Sequence, residues 1–294
     1  MYISPQLDTF RQKIDALDNQ LHDLLMERAD LIMMISEEKK KQGIQIVQPA
    51  REARMIRRLM ARHREPLPEE AIVRIWRELV SCVSLLQTGL SVAVCVPAET
   101  PEYWDMARDY FGSVLPMQKT QTPLAALNLV IDGKVNFAVL PYPESEQAAP
   151  WWPQLMESIG DGVHILQRLP YGDKENYSYN NHPALIVAKA GFDTSDDDHS
   201  FIGLDLNGDI SRAKVVDKAK DAGLTTLSVY SRPSTSSASR SYHMIEVSEF
   251  VNKDNEKLKA LVESLAAPEL RCQMIGGYPS PLVYKTRKKT TAAA

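Results

Sequence analysis

Apolar residues recur at alternating steps of three and four between residues 7 and 41. The series is Leu7, Phe10, Ile14, Leu17, Leu21, Leu24, Leu31 and Ile35. Because an α-helix has 3.6 residues per turn, this spacing predicts one long amphipathic helix. Arg28 takes the step between Leu24 and Leu31 that should be apolar, and Lys39 continues the same face. Two cations therefore lie on the stripe that should pack against a core.

Arg28 and Lys39 are about 16 Å apart along such a helix, so their side chains can close from both ends on a small anion. The alternative is that each charge snorkels to water from the edge of the apolar stripe. If the cations are buried, they need an anionic partner, either a ligand or a carboxylate. Arg11 lies about 25 Å from Arg28 and roughly 100° around the helix. It cannot reach the same anion within its own chain.

Two shorter helices are predicted next. Gly43 interrupts the first helix, and Gln48 with Pro49 marks the start of a second, because proline suits the first helical position. Arg51 follows in the opening turn, and Glu52 lies on the inward face among apolar residues. A third helix follows the next prolines, with an inward row of Trp76, Val80, Val83 and Gln87. Each helix thus places a polar group among apolar residues.

Three helices of such unequal length do not close into a bundle. The far half of the first helix has nothing in its own chain to cover it. A two-fold dimer would cover that half. The same dimer would bring Arg11 of one chain to the Arg28 end of the other.

Strands and helices alternate from residue 91 onward. Between residues 91 and 195 this alternation predicts an α/β lobe with a parallel sheet. Its strands are expected at 91–96, 114–118, 136–140, 163–169 and 184–189, and its helices at 102–111 and 124–131. The adjacent pair Trp151 and Trp152 favours packing over a ligand-binding surface.

Residues 196–285 have a different predicted order, which is strand, helix, strand, strand, helix, strand. The segments are 200–206, 211–222, 225–231, 242–248, 253–265 and 269–275. That βαββαβ order is typical of ferredoxin-like domains. The chain therefore divides into a helical domain at 1–90, the α/β lobe at 91–195, the ferredoxin-like domain and a disordered basic tail at 286–294.

Composition narrows the classes of function. The 294 residues carry a formal net charge of -4, which argues against nucleic acid as the main partner. No signal-peptide pattern or membrane-spanning apolar run is evident, so we expect a cytoplasmic protein without a membrane partner. Cys82, Cys95 and Cys272 are far apart and lack metal-ligand spacing. We therefore expect reduced core cysteines and neither a metal nor another cofactor.

The N-terminal residues carry a longer motif over roughly positions 5 to 90. It comprises Leu-x-x-x-Arg11-x-x-Ile-x-x-Leu-Asp18, Leu-Leu-x-Glu-Arg28, Lys39, Pro49-x-Arg51-Glu52 and Ser-x-Val-x-Leu-Leu-Gln87. This motif resembles the all-helical chorismate mutases. Membership of that family implies a three-helix intertwined dimer, which converts chorismate to prephenate in a pocket built from both chains.

By position, the resemblance implies that Arg28 and the partner's Arg11 bind the two substrate carboxylates. Lys39 and Gln87 would face the ether oxygen, and Glu52 would hold the ring hydroxyl. The reaction is a pericyclic rearrangement, which needs the compact conformer held and negative charge stabilised on the breaking ether bond. It needs no nucleophile, metal or general base, so cations and an amide suffice.

Two substrate-binding positions depart from the family pattern, while Arg51 would stand beside the pocket as in the family. The family often has an aspartate where this chain has Gln48, which also faces the ring hydroxyl. It has a serine where this chain has Val83. An amide can still hydrogen-bond a hydroxyl, so we expect turnover to fall without being lost.

Residues 91–195 resemble the first lobe of prephenate dehydratases, which often follow such a mutase in one chain. Three motifs of that family differ here. Where that family has a glycine-rich turn, residues 96–100 of this chain are Val-Pro-Ala-Glu-Thr. Where it has a Glu-Asn-Ser motif, residues 140–145 are Leu-Pro-Tyr-Pro-Glu-Ser. The Thr-Arg-Phe motif has no match, and its position is occupied by His-Pro-Ala at 182–184. We therefore expect no dehydratase activity and prephenate as the end product.

Two C-terminal motifs are similar to those of the ACT domains that end prephenate dehydratases. They are Tyr230-Ser231-Arg232-Pro233 and Ile-Gly-Gly-Tyr-Pro at 275–279. In that family the domain binds phenylalanine between paired subunits. The corresponding turn here is Asn207-Gly208-Asp209-Ile210, and Tyr230 replaces a glutamate. Two alternatives therefore stay open for this domain. It is either a sensor of an aromatic amino acid or a purely structural domain that forms a dimer.

The sequence as a whole predicts a chorismate mutase of phenylalanine and tyrosine biosynthesis, with a regulatory or scaffolding C-terminal region. One alternative is a non-catalytic dimeric regulatory or binding protein that keeps the mutase fold. The other is a bifunctional chorismate mutase and prephenate dehydratase.

Overall fold

Three helices open the structure, as the sequence predicts. The computed structural model describes residues 5–43, 45, 47–144, 150–157, 162–173, 178–207, 210–234, 239–267 and 269–284. Helix α1 runs over Pro5–Gln42, α2 over Pro49–Ala61 and α3 over Glu69–Thr88. Pro49 lies in the first turn of α2, where its missing N–H removes no hydrogen bond. The basic tail predicted at 286–294 lies outside the described residues.

The apolar stripe of α1 is largely uncovered. The exposed fraction of its residues runs from 40% at Ile35 to 62% at Leu17. Contiguous apolar surface of this extent is unusual on a monomer and marks a contact surface. Helix α1 therefore lacks, within its own chain, the packing partner that its periodicity requires.

The rest of the described chain, residues 92–284, is called the sheet region. Its strands are β1 Val92–Cys95, β2 Met117–Thr120, β3 Phe137–Pro141, β4 Val163–Leu169, β5 Gly172–Asp173, β6 Ala184–Lys189, β7 Asp198–Asn207, β8 Thr226–Pro233, β9 Arg240–Val247, β10 Arg271–Pro279 and β11 Leu282–Val283. Its helices are α4 Glu102–Phe111, α5 Pro123–Ile131, α6 Pro153–Glu157, α7 Arg212–Asp221 and α8 Glu256–Leu265. Among the described helices, none is both long and apolar enough to cross a membrane.

Strand directions correct the prediction of a parallel lobe. Strand β1 is parallel to β2 and β3, as predicted, but β6 runs antiparallel to both β3 and β4. The sheet of the lobe is therefore mixed. Burial on both faces produces continuous apolar runs such as β6, so the sequence pattern does not reveal strand direction. The strand predicted at 114–118 begins at Met117 instead, because a turn follows Gly112.

The two predicted sheets are continuous, in the order β2-β1-β3-β6-β4-β10-β7-β9-β8. Strand β10 pairs antiparallel with β7 and parallel with β4, where Gly276 lies opposite Ile165. A side chain at Gly276 would collide with the Ile165 backbone, and one at Gly277 would collide with the His199 carbonyl. Gly276 also has a φ of 123°, which other residues rarely adopt. The Gly-Gly pair thus permits the two sheets to merge.

The C-terminal part of the sheet keeps the predicted βαββαβ order, with elements β7, α7, β8, β9, α8 and β10. These four strands are mutually antiparallel in the order β10-β7-β9-β8. The tryptophan pair lies in the core nearby. Trp151 and Trp152 are 0% and 1% exposed, and the Trp151 indole N–H donates to the Pro141 carbonyl at 2.8 Å. Their interpretation as packing residues is confirmed.

Helix α2 is fixed to the sheet region by an arginine. Arg57 donates from Nη1 to the Ser195 carbonyl and from Nη2 to the Asp197 carbonyl, each at 2.7 Å. Asp198 orders the loop that presents these carbonyls, because its carboxylate accepts from the Ser195 N–H at 2.7 Å. Ala53 is 2% exposed on the same helix, and its small side chain permits close approach. These two contacts of Arg57 join residues 138 and 140 positions apart in the chain.

A buried carboxylate joins the lobe to the C-terminal strands. Glu246 on β9 is 4% exposed and accepts hydrogen bonds from the hydroxyls of Tyr142, Tyr278 and Ser228. Tyr142 follows β3, whereas the other two lie on β10 and β8. Burial raises the pKa of Glu246, but the nearby His199 and the hydrogen bonds from the three hydroxyls outweigh burial and lower the pKa.

We predict that His243 makes the free energy of unfolding depend on pH. His243 is 2% exposed, and burial lowers its pKa to about 4 from 6.5. Below pH 6.5 the unfolded chain binds a proton that the folded chain does not, so stability present above pH 6.5 is lost as the pH falls toward 4. His243→Gln should remove up to about 3 kcal/mol of this change in urea denaturation. Parallel pH profiles for parent and variant would contradict the prediction.

We predict that Arg57→Ala loosens the attachment of α2. The free energy of unfolding should fall by about 2 kcal/mol, because hydrogen bonds from charged donors contribute roughly 1.5 to 3 kcal/mol. Arg62→Ala is the matched control, since Arg62 is exposed at the end of the same helix. It should change stability by less than about 0.5 kcal/mol. Equal losses in the two variants, measured by chemical denaturation, would show that the Arg57 contacts do not hold α2.

Candidate active site

A cavity of about 530 Å³ lies between the three N-terminal helices. It is lined by Arg28, Leu31, Ile32, Ile35, Lys39, Gln48, Arg51, Glu52, Arg54, Met55, Arg58, Val80, Val83 and Ser84. The structure brings together in this cavity six of the eight residues predicted to bind substrate. They are Arg28, Lys39, Gln48, Arg51, Glu52 and Val83.

The other two predicted residues, Arg11 and Gln87, have different positions. The Arg11 side chain is 57% exposed and pairs with Asp8 at 3.6 Å. Since it lies about 25 Å along α1 from Arg28, it can serve such a cavity only from a partner chain. Gln87 belongs to α3, but its side chain lies outside the described residues.

Lys39 and Gln48 are partners within the cavity. The Lys39 ammonium donates to the Gln48 amide oxygen at 2.9 Å. Burial lowers the pKa of Lys39 and Arg51 lowers it further, whereas Glu52 raises it. Because an amide is neutral, Gln48 orients the ammonium without cancelling its charge. An aspartate at this position would offset that charge.

Ser84 places a hydroxyl one residue away from Val83, the position at which the resemblance leads us to expect a serine. Val83 and Ser84 both line the cavity from α3. Ser84 was not singled out from the sequence, because it lies one step off the apolar row. Helical geometry moves the two side chains about 100° apart, so Ser84 enters the cavity from a different direction than a residue at Val83.

The cavity carries an excess of positive charge. One carboxylate, Glu52, lines it together with five cations, which are Arg28, Lys39, Arg51, Arg54 and Arg58. Of these, Arg54 donates to the Thr194 carbonyl and pairs with Asp196. Burial lowers the pKa of Arg28, yet an arginine stays protonated in proteins. Clefts lined by one sign of charge attract ligands of the opposite sign. The arrangement therefore favours a small ligand with more than one negative group.

The described residues contain no group of three or more His, Cys, Asp or Glu side chains placed to hold a metal ion.

Glu52 is held by an arginine that the sequence analysis did not single out. Arg77 on α3 is 4% exposed, and its Nη1 donates to Glu52 Oε2 at 2.6 Å. Its Nε donates to the Tyr110 carbonyl at 3.0 Å, and its guanidinium lies 3.7 Å from the Tyr110 ring centroid. Burial alone would lower the pKa of Arg77, but Tyr110 and Glu52 raise it instead. A sequence signal was present, because Arg77 falls on the apolar row of Val73 and Val80.

Those of the predicted regulatory residues that the structure describes do not line this cavity. Asn207 and Ile210 flank Gly208 and Asp209, which lie outside the described residues. The other four, Tyr230, Ser231, Arg232 and Pro233, end strand β8. The Ser231 hydroxyl lies 2.8 Å from His243 Nδ1, so this hydroxyl already has a protein partner.

Residues 10–88 match the family described as chorismate mutase type II. The matched segment includes every residue that lines the cavity. The N-terminal helices are therefore similar to chorismate mutases of type II, and residues 10–88 are called the mutase segment.

Curated relatives are similar over more than this segment. The chain is 30% identical over 153 residues to a bifunctional chorismate mutase/prephenate dehydratase of Stutzerimonas stutzeri, covering 49% of this chain and 40% of that protein. The protein of the same name from Pseudomonas aeruginosa is 31% identical over 153 residues, with the same coverage. That of Aquifex aeolicus is 32% identical over 111 residues, covering 36% of this chain and 30% of that protein. These spans exceed residues 10–88, and the chain spans less than half the length of each relative.

Two solved prephenate dehydratases are similar to this chain at a low level. The protein from Streptococcus mutans is 14% identical with a TM-score of 0.45, covering 67% of this chain and 100% of that one. The protein from Staphylococcus aureus is 10% identical with a TM-score of 0.48, covering 64% and 100%. Similarity at this level carries no assignment of function.

Proposed function

We propose that this protein converts chorismate to prephenate. The observation that carries the proposal is the convergence of Arg28, Lys39 and Glu52 on one cavity within the segment that matches the mutase family. Chorismate has two carboxylates, an ether oxygen and a ring hydroxyl. A cavity with an excess of cations and one carboxylate complements each of these groups.

In this proposal, Arg28 and the partner's Arg11 hold the two carboxylates and so keep the substrate in its compact conformer. The ether C–O bond breaks as a new C–C bond forms within the same molecule. The substrate therefore exchanges no atom or electron with the protein. Negative charge develops on the ether oxygen, and Lys39, oriented by Gln48, stabilises it together with Gln87. Glu52 accepts a hydrogen bond from the ring hydroxyl.

The proposed assembly is a two-fold dimer in which each pocket uses both chains. Leu17 and Leu21 on the uncovered stripe of α1 are 62% and 57% exposed, and a second copy of α1 would bury them. An antiparallel placement of the two α1 helices would bring the partner's Arg11 to the Arg28 end of the cavity. The shared pocket and the buried stripe would then arise from one contact.

We predict that the purified protein accelerates the disappearance of chorismate, followed by absorbance. Lys39→Ala should lower the rate by a factor of about 10² to 10³, because it removes the cation that faces the ether oxygen. Lys40→Ala is the matched control, since the adjacent Lys40 is exposed and does not line the cavity. A parent rate no faster than buffer would end the proposal. A Lys39→Ala rate equal to the parent rate would place the reaction elsewhere.

The sheet region is proposed to regulate or scaffold the mutase, with prephenate as the end product of this assay. Two cations of the lobe are paired with local carboxylates, Lys134 with Asp132 at 2.9 Å and Arg168 with Asp173 at 3.2 Å. The names of the curated relatives favour the bifunctional alternative. That alternative requires phenylpyruvate to form faster with protein than without it.

The C-terminal βαββαβ elements are proposed to form an ACT-like, ferredoxin-like domain. Their element order and antiparallel strand order support this assignment. Two roles fit the domain, an aromatic amino-acid sensor and a structural unit. A thermal-shift series with phenylalanine, tyrosine and tryptophan separates them, because a bound ligand raises the unfolding temperature.

We predict that two inactive variants restore activity when mixed. Arg11→Ala and Lys39→Ala remove residues that different chains contribute to one pocket, so each mixed dimer keeps one intact pocket. Random exchange of subunits should give about a quarter of the parental activity. As a control, Lys39→Ala mixed with the double variant Arg11→Ala/Lys39→Ala contains no intact pocket. Mixed dimers as inactive as their parents would mean that the pocket lies within one chain.

A further inference from the structure

Glu52 stands between the cavity and a smaller void of about 30 Å³ behind it. The carboxylate side chain lines both spaces, whereas Arg77 lines the void and not the cavity. Arg77 lies behind Glu52, away from the space that the substrate would occupy. The ion pair with Glu52 joins Arg77 directly to a residue of the cavity, so we expect Arg77 to act on a bound ligand through that carboxylate.

The ion pair leaves Glu52 able to bind a second group. A carboxylate has about four acceptor positions. The Arg77 Nη1 donates to Oε2 at 2.6 Å, and this contact fixes the rotation of the carboxylate group. Glu52 is thus held in one orientation before a ligand arrives, which reduces the entropy that ordering it would cost.

The position of Arg77 is itself set by the sheet region. Its Nε donates to the carbonyl of Tyr110 on α4, and its guanidinium lies 3.7 Å from the centroid of the Tyr110 ring and 5.6 Å from that of Tyr171. Tyr171 follows strand β4. Contacts outside the mutase segment therefore determine where a cavity carboxylate points.

We propose that Arg77 is a positioning residue that aims the Glu52 carboxylate at the ring hydroxyl of the substrate. The inference rests on the proposed mutase function. The sheet region then contributes to the affinity for substrate by holding Arg77, a side chain that does not contact the substrate.

The test compares kinetic constants of the full-length parent with those of Arg77→Met. Loss of the hydrogen bond that orients the Glu52 carboxylate should raise KM about tenfold to a hundredfold. The hydroxyl contact is made equally in ground and transition states, so kcat should stay within about threefold. A purely structural role would instead reduce the fraction of active protein, which lowers apparent kcat and leaves KM unchanged.

Two further variants keep the test decisive if Arg77→Met folds poorly. Arg77→Lys retains the positive charge but not the paired donors, so its KM should lie between parent and Arg77→Met. Glu78→Gln is the matched control. Glu78 ties the same helix to the lobe by accepting from the Ser113 N–H at 3.0 Å and hydroxyl at 2.7 Å, and it does not line the cavity. It should reduce thermal stability while leaving KM at the parent value.

A double-mutant cycle with Glu52→Gln distinguishes positioning from a general effect. If Arg77 acts through Glu52, adding Arg77→Met to Glu52→Gln should change KM by less than about threefold. Independent, multiplying effects would overturn the inference, as would an unchanged KM in Arg77→Met. A parent without mutase activity would overturn the proposed function itself, and the inference with it. The parent rate, measured first, separates these two failures.

Discussion

The buried guanidinium of Arg77 is the constraint on which the arrangement of helices and sheet depends. An unpaired charge at a position only 4% exposed would cost several kcal/mol. A carboxylate from α2 and a carbonyl from α4 satisfy it, so three helices meet at one point. That point lies directly behind the cavity. The packing of the mutase segment on the sheet and the orientation of a cavity side chain are therefore consequences of the same charge.

Within the cavity, like charges are held close together and partly desolvated. Burial and the nearby Arg51 lower the pKa of Lys39, whereas Glu52 raises it. A ligand with two carboxylates would relieve that repulsion. The neutral amide of Gln48 orients Lys39 but leaves the imbalance in place. The lining of the cavity therefore favours an anionic ligand.

The two parts of the chain differ in how completely they bury their apolar surface. The sheet region has fully buried core residues on both sides of its nine-stranded sheet, for example Leu140, Phe201 and Leu261. Helix α1 exposes most of its apolar stripe. The sheet region therefore buries its apolar surface within one chain. The apolar stripe of α1 would need a surface from outside the described chain to cover it. The Arg57 contacts link the two parts, so a change in one can be transmitted to the other.

Local patterns in the sequence determined the kind and position of most elements, because helical and extended periodicities are properties of neighbouring residues. The strands at Val163–Leu169 and Ala184–Lys189 have the bounds that were predicted. Six of the residues predicted to bind substrate reach one cavity, because their spacing puts them on facing sides of three helices. Only the tertiary structure decided the direction of β6, the merging of two sheets at Gly276 and the pairing of Arg77 with Glu52. Each of these depends on contacts between residues far apart in the chain. A charge on an apolar helical row indicates that a partner exists, but the packing of α2, α3 and α4 decides which partner it is.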